Sequence, residues 1–116
     1  MKEFRVDSRD LGSGRTQIQV EGEIDLAVAD RFEAAIERAS SDGGQVLVDL
    51  SACEFLDSTA IAILLSKQKQ LEAGGGRLAA YGASGQVHRI LQVAGLIDRG
   101  FGFDDVEDAL ISENIA

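Results

Sequence analysis

The chain has 116 residues, 45% of them hydrophobic, and a formal net charge of −9. That length holds one ordinary core, with too much apolar content for a disordered chain. The charge would be repelled by a phosphate backbone or an anionic lipid surface, so neither nucleic acid nor membrane is expected as a partner.

A lone Cys53 and a lone His88 provide neither an internal disulfide nor an ordinary zinc site. The longest apolar run, Ala60 to Leu65, falls far short of the ~18 residues of a membrane span. Met1-Lys2-Glu3-Phe4 lacks the apolar stretch of a secretory signal, which points to the cytoplasm. With no proline, the turns fall to Gly, Asp, Asn and Ser.

Phe4 and Val6 alternate with Arg5 and Asp7, and Thr16, Ile18 and Val20 alternate with Gln17, Gln19 and Glu21. These are two half-buried strands joined near Gly12-Ser13-Gly14, the second ending at Gly22. Asp25 stands at the expected N-cap of a first helix, about Leu26 to Ser40, whose apolar stripe is Val28, Phe32, Ala35, Ile36 and Ala39. Asp42-Gly43-Gly44 breaks it.

Val46 to Leu50 reads as a central strand covered on both faces, or a strongly buried one. A short loop with Phe55 and Leu56 leads to Asp57-Ser58-Thr59, which opens a second helix, buried in its first turns and stopped by Gly74-Gly75-Gly76. Leu78 to Tyr81 is a fourth strand. Val87, Ile90, Leu91 and Ala94 mark a third helix capped by Gly95. Phe101 and Phe103 suggest a last edge strand, and Asp104 or Asp105 caps a final helix carrying Val106, Ala109 and Leu110. Strands alternating with helices imply parallel pairing, with the opening hairpin as an antiparallel edge.

Loops at the carboxyl ends of parallel strands are where α/β sheets meet ligands and partners. Asp57-Ser58-Thr59 lies there, at a helix N-terminus whose dipole favours negative charge. Helix capping alone also accounts for these residue types. Gly22-Glu23-Ile24-Asp25 is either the second half of a binding face or another cap. If the third strand lies beside the second, Asp25 and Ser58 share one end of the sheet. Ser58 has no Gly-x-Ser-x-Gly elbow, so a Ser58 hydrolase is not expected. Asp57 lacks the acidic pair and lysine of a phosphoacceptor aspartate. Cys53 has no basic neighbour to activate it, and reads as an inert thiol. No catalytic residue, cofactor or metal site is expected.

Gly22-Glu23-Ile24-Asp25-Leu26, Val46-Leu47-Val48-Asp49-Leu50-Ser51, Phe55-Leu56-Asp57-Ser58-Thr59-Ala60, Gly74-Gly75-Gly76-Arg77-Leu78 and Val87-His88-Arg89-Ile90-Leu91 with Gly95-Leu96, in this order, resemble a STAS domain. The resemblance runs from about Phe4 to Leu110 and is closest to the bacterial anti-sigma factor antagonists. It implies a single STAS domain over 1–116: an α/β, STAS-like fold, a mixed four- to five-stranded sheet with about four helices mainly on one face. It implies a non-enzyme, a monomer or weak dimer, that binds an anti-sigma factor serine kinase of the GHKL type and so frees a sigma factor. That kinase would phosphorylate Ser58 and abolish binding, and a PP2C-type phosphatase would reverse it. Thr59 is the lesser acceptor, and Asp25 and Asp57 match positions of the kinase-binding face. Ala60 stands where the family commonly has Gly, Ile61-Ala62 where Leu-Gly is usual, and Gly85 where Pro is usual. The alternative is a non-phosphorylated STAS subunit associated with a transporter ATPase.

Overall fold

A computed structural model describes residues 3–41 and 44–113, the side chains of 111–113 excepted. The element order is β1 (Arg5–Gly12), β2 (Arg15–Ile24), α1 (Ala29–Ala39), β3 (Gln45–Leu56), α2 (Ser58–Ala73), β4 (Arg77–Tyr81), α3 (Gly85–Val93), a 3-10 turn (Ile97–Arg99) and α4 (Val106–Glu113). The sheet order is β1-β2-β3-β4; β1 pairs antiparallel with β2, and the β2–β3 and β3–β4 pairs are parallel. This is the mixed α/β sheet expected, in its four-stranded form.

The period-2 pattern of the strands divides the core between two faces. Ile18, Val20, Val46, Val48, Leu50, Leu78 and Ala80 meet Phe32 and Ile36 of α1, Ile63 and Leu64 of α2, and Val87 and Leu91 of α3. Burying each large apolar side chain here contributes about 1.5–3 kcal/mol. The odd positions Leu47, Ala79 and Tyr81 face the other way, onto Ala109 of α4. Three helices therefore cover one face and α4 covers the far end of the other.

Several boundaries differ from the sequence reading. β2 does not end at Gly22 but runs to Ile24; Gly22 takes φ +82 beside a register shift and lets the strand bend and continue. The added length pairs Glu23 with Phe55 and Ile24 with Leu56, so Phe55 and Leu56 lie in β3 rather than a loop. Buried residues of α2 extend to Lys67 and Leu71 instead of fading after the first turns. The Phe101/Phe103 strand reduces to one bridge, Tyr81 to Phe103, because Gly100 turns the chain at φ +97. Of the two expected caps of α4, it is Asp105 that serves, accepting from the Asp108 N–H at 2.9 Å. Gly85 takes φ +53, a conformation proline's ring forbids, so the start of α3 could not carry the proline usual there. The helix break expected at Asp42-Gly43 lies outside the described residues.

Candidate functional site

β3 lies beside β2, the condition the sequence reading set, and their parallel pairing brings the β2–α1 and β3–α2 junctions to one end of the sheet. Asp57 joins them. Its Oδ1 accepts from the Thr59 and Ala60 N–H groups at 2.9 and 3.1 Å, capping α2. Its Oδ2 accepts from the Leu26 N–H at 3.1 Å, and its own N–H donates to the Ile24 carbonyl at 3.1 Å. One carboxylate thus satisfies three backbone donors on two loops, and its position is fixed by the strand ends beneath it.

Asp25 does not cap α1. Its Oδ1 accepts from the Ala27 N–H at 3.0 Å and its carbonyl from the Val28 N–H at 3.1 Å, which closes a tight turn before the helix. The helix begins only at Ala29, with Val28 at the cap position and no side-chain cap bond.

Ser58 is the first residue of α2 and is exposed, while Thr59 is half-buried and Ala60 is fully buried. No hydrogen bond of the Ser58 side chain occurs among the described residues. Asp25 is exposed, and Glu23 and Asp57 are half-buried. The structure therefore brings Asp25, Asp57, Ser58 and Thr59 to one surface and sets Glu23 at the edge of it, on β2 against Phe55. Neither junction, 22–28 or 57–61, contains a basic residue, and the two contain three carboxylates.

Two features escaped the sequence reading. Leu26 is 75% exposed on this surface. Its signal was present, since it lies outside the stripe that Val28 and Phe32 define. Lys67 is buried between α1 and α2; its Nζ lies 2.6 Å from Glu37 Oε1 and 3.5 Å from Glu33 Oε2. The hydrogen bond to Glu37 raises its pKa above the ordinary lysine value. Cys53 lies in β3, not in a loop, and is buried; burial pushes its thiol up to about 11. It is unreactive at neutral pH for that reason. No cluster of His, Cys, Asp and Glu among the described residues could hold a metal, and no helix among them is long and apolar enough to cross a membrane.

With this geometry in place, comparisons with known proteins converge. A family model described as "Mlab, STAS domain" matches residues 8–102. An anti-sigma-B factor antagonist of Listeria monocytogenes is 28% identical over 94 residues, 80% of this chain and 82% of that protein. The crystal structure of an anti-sigma factor antagonist from Mycobacterium paratuberculosis superposes with a TM-score of 0.80 at 27% identity, covering 95% of this chain and 93% of that one. The antagonist SpoIIAA, a Bacillus cell-fate determinant, shares the fold in two forms. The unphosphorylated form has a TM-score of 0.78 at 20% identity, over 97% and 98% of the two chains. The phosphorylated form has 0.71 at 22%, over 94% and 98%.

Proposed function

This chain belongs to the STAS domain family, and we propose that within it the chain works as an anti-sigma factor antagonist, a binding protein switched by phosphorylation of Ser58. Its unphosphorylated form would bind an anti-sigma factor with serine kinase activity and release a sigma factor, and transcription would follow. Relatives named as antagonists support this reading. So does the existence of a phosphorylated form of the structural neighbour SpoIIAA.

The observation that carries the reading is Ser58 itself: an exposed hydroxyl on a rigid corner that Asp57 ties to the neighbouring loop. Asp25, Leu26 and Thr59 would complete the contact surface, with Leu26 as its apolar anchor. In the transfer, Ser58 Oγ bonds to the γ-phosphorus of ATP, ADP leaves, and the hydroxyl proton passes to a base of the kinase.

The switch is electrostatic. Phosphoserine adds about −1.5 to −2 charge. Asp57 already takes the Thr59 and Ala60 N–H groups of the first turn of α2, and neither junction offers a cation, so the phosphate is only partly compensated within this protein. A like charge ~4 Å away costs ~1 kcal/mol per unit pair in water and ~4 at an effective dielectric of 20. Each ~1.4 kcal/mol is tenfold in affinity, so one phosphate facing an acidic partner group is enough to disperse a micromolar complex.

Incubation with the anti-sigma kinase of the same genome and ATP, followed by peptide mass spectrometry, tests the acceptor. Phosphate on Ser58 is the expected result; binding to the kinase with no phosphate on Ser58 contradicts the switch. The rival, a transporter-associated subunit without phosphorylation, requires Ser58→Ala and Ser58→Asp to bind their partner alike.

A further inference from the structure

At the side of the sheet opposite β4, β1 is the edge strand, and no described strand pairs with its outer side. Its residues are exposed except half-buried Val6. Unpaired edges are ordinarily blocked by proline, a bulge or charge. This one has no proline, and its only irregularity lies at the far end, between Asp10 and Gly12. Only its charges remain to block pairing, and their order is self-complementary.

If two copies of β1 run antiparallel with Val6 opposite Val6, Arg5 faces Asp7 and Glu3 faces Arg9, twice each by symmetry. Sliding the register by two residues, as the two faces of the sheet require, sets Asp7 against Asp7 and Arg5 against Arg9. The opposite slide sets Arg5 against Arg5 and Glu3 against Asp7. One register is attractive and both neighbours are repulsive.

Helix α1 repeats the pattern independently. A groove of about 410 Å³ along the edge is lined by Val6, Asp30, Arg31, Ala34 and Arg38. With Ala34 opposite Ala34 in an antiparallel pair, Asp30 faces Arg38, again twice. Asp30 and Arg38 are exposed, and small, half-buried Ala34 permits close approach. The spacing also agrees. Since α1 packs on both β1 and β2, its axis lies about one strand spacing from a dyad on the outer edge. Two copies then lie about 10 Å apart, an ordinary helix packing distance.

We propose that this edge is a two-fold interface with a second copy of the chain, β1 paired on β1 about Val6 and α1 on α1 about Ala34. The two sheets join into one of eight strands. Such an interface is isologous, each contact occurring twice. β2 stands between the interface and β3, which leads to Ser58, so Ser58 of each copy stays open and the dimer is bivalent. The proposal stands independently of what binds at Ser58.

Sedimentation equilibrium of the full chain from micromolar to millimolar concentration tests it. The expected result is a mass rising from one chain to two. Ala34→Arg should remain one chain throughout, with its fold checked by circular dichroism. Arg38→Glu should weaken association about fivefold, since two attractive pairs become repulsive. Adding Asp30→Arg to the same chain should restore it, because the swapped pattern is again self-complementary. Under mild oxidation, Val6→Cys should cross-link to a dimer, its partner being its own copy, while Ser8→Cys, opposite Phe4, should not. A single-chain mass at every concentration overturns the proposal. So does association that Ala34→Arg leaves intact, or equal cross-linking through positions 6 and 8.

Discussion

The two ends of the α1–α2 pair are held in opposite ways. At the Ser58 end, a carboxylate, Asp57, accepts from three backbone N–H groups on two loops. At the far end a buried ammonium, Lys67, reaches two carboxylates of α1 that remain partly in water, Glu33 and Glu37, whose side chains are 39% and 59% exposed. Backbone anchoring fixes where the chain runs and leaves Ser58 free to be modified. Side-chain anchoring fixes only the distance between helices. The corner that carries the proposed phosphorylation site is held by the first kind.

Raising the pH should give the largest effect, and it acts on the strand beneath the two junctions before it reaches the far end. Cys53 in β3 has its thiol pKa raised from 9.0 to about 11, so its neutral form contributes stability that is complete below pH 9 and lost by about pH 11. Two units correspond to roughly 2–3 kcal/mol. Lys67 is also raised, from 10.5, so its contribution is complete below that value and fails only at still higher pH. Urea midpoints across pH 8 to 11 should fall, and Cys53→Ala should flatten the first part of the fall; an unchanged slope in that variant assigns it elsewhere.

Breaking the near end comes next. Asp57→Ala removes a cap and the tie to Leu26 and should cost about 2 kcal/mol, the sum of a cap near 1 and a hydrogen bond near 1. Breaking the far end should cost less. Lys67→Ala is expected to lose about 1–2 kcal/mol, since the carboxylates left behind can hydrate, and Lys67→Met to stay within about 1 kcal/mol of the parent. Asp25→Ala is the smallest change, about 0.5 kcal/mol, because Asp25 closes only its own turn. Thermal or urea unfolding of the four variants checks the order, and an Asp25→Ala loss equal to that of Asp57→Ala would remove the asymmetry between the junctions.

What the sequence made legible was periodic or local: the apolar stripes of α1 and α3, the alternation of β2, a capping sequence at residues 57–59 and the glycine stops. The remainder depended on pairing between distant segments. Phe55 and Leu56 join β3 because β2 continues past Gly22 to meet them, and nothing local to residues 53–56 encodes that. Asp25 has a cap's chemistry, but its own two-residue turn uses it first. Lys67 reads as polar by type, and its burial follows from Glu33 and Glu37 facing it across α1. Ser58 was legible as a hydroxyl at a helix start; its exposure depended on Asp57, rather than Ser58, taking the cap.

Titration calorimetry of the anti-sigma kinase against the wild type, Ser58→Ala and Ser58→Asp asks the central question most directly. The wild type and Ser58→Ala are expected to bind alike and Ser58→Asp at least about tenfold more weakly, the factor that ~1.4 kcal/mol of charge repulsion produces. Equal affinity for the alanine and aspartate variants would contradict it.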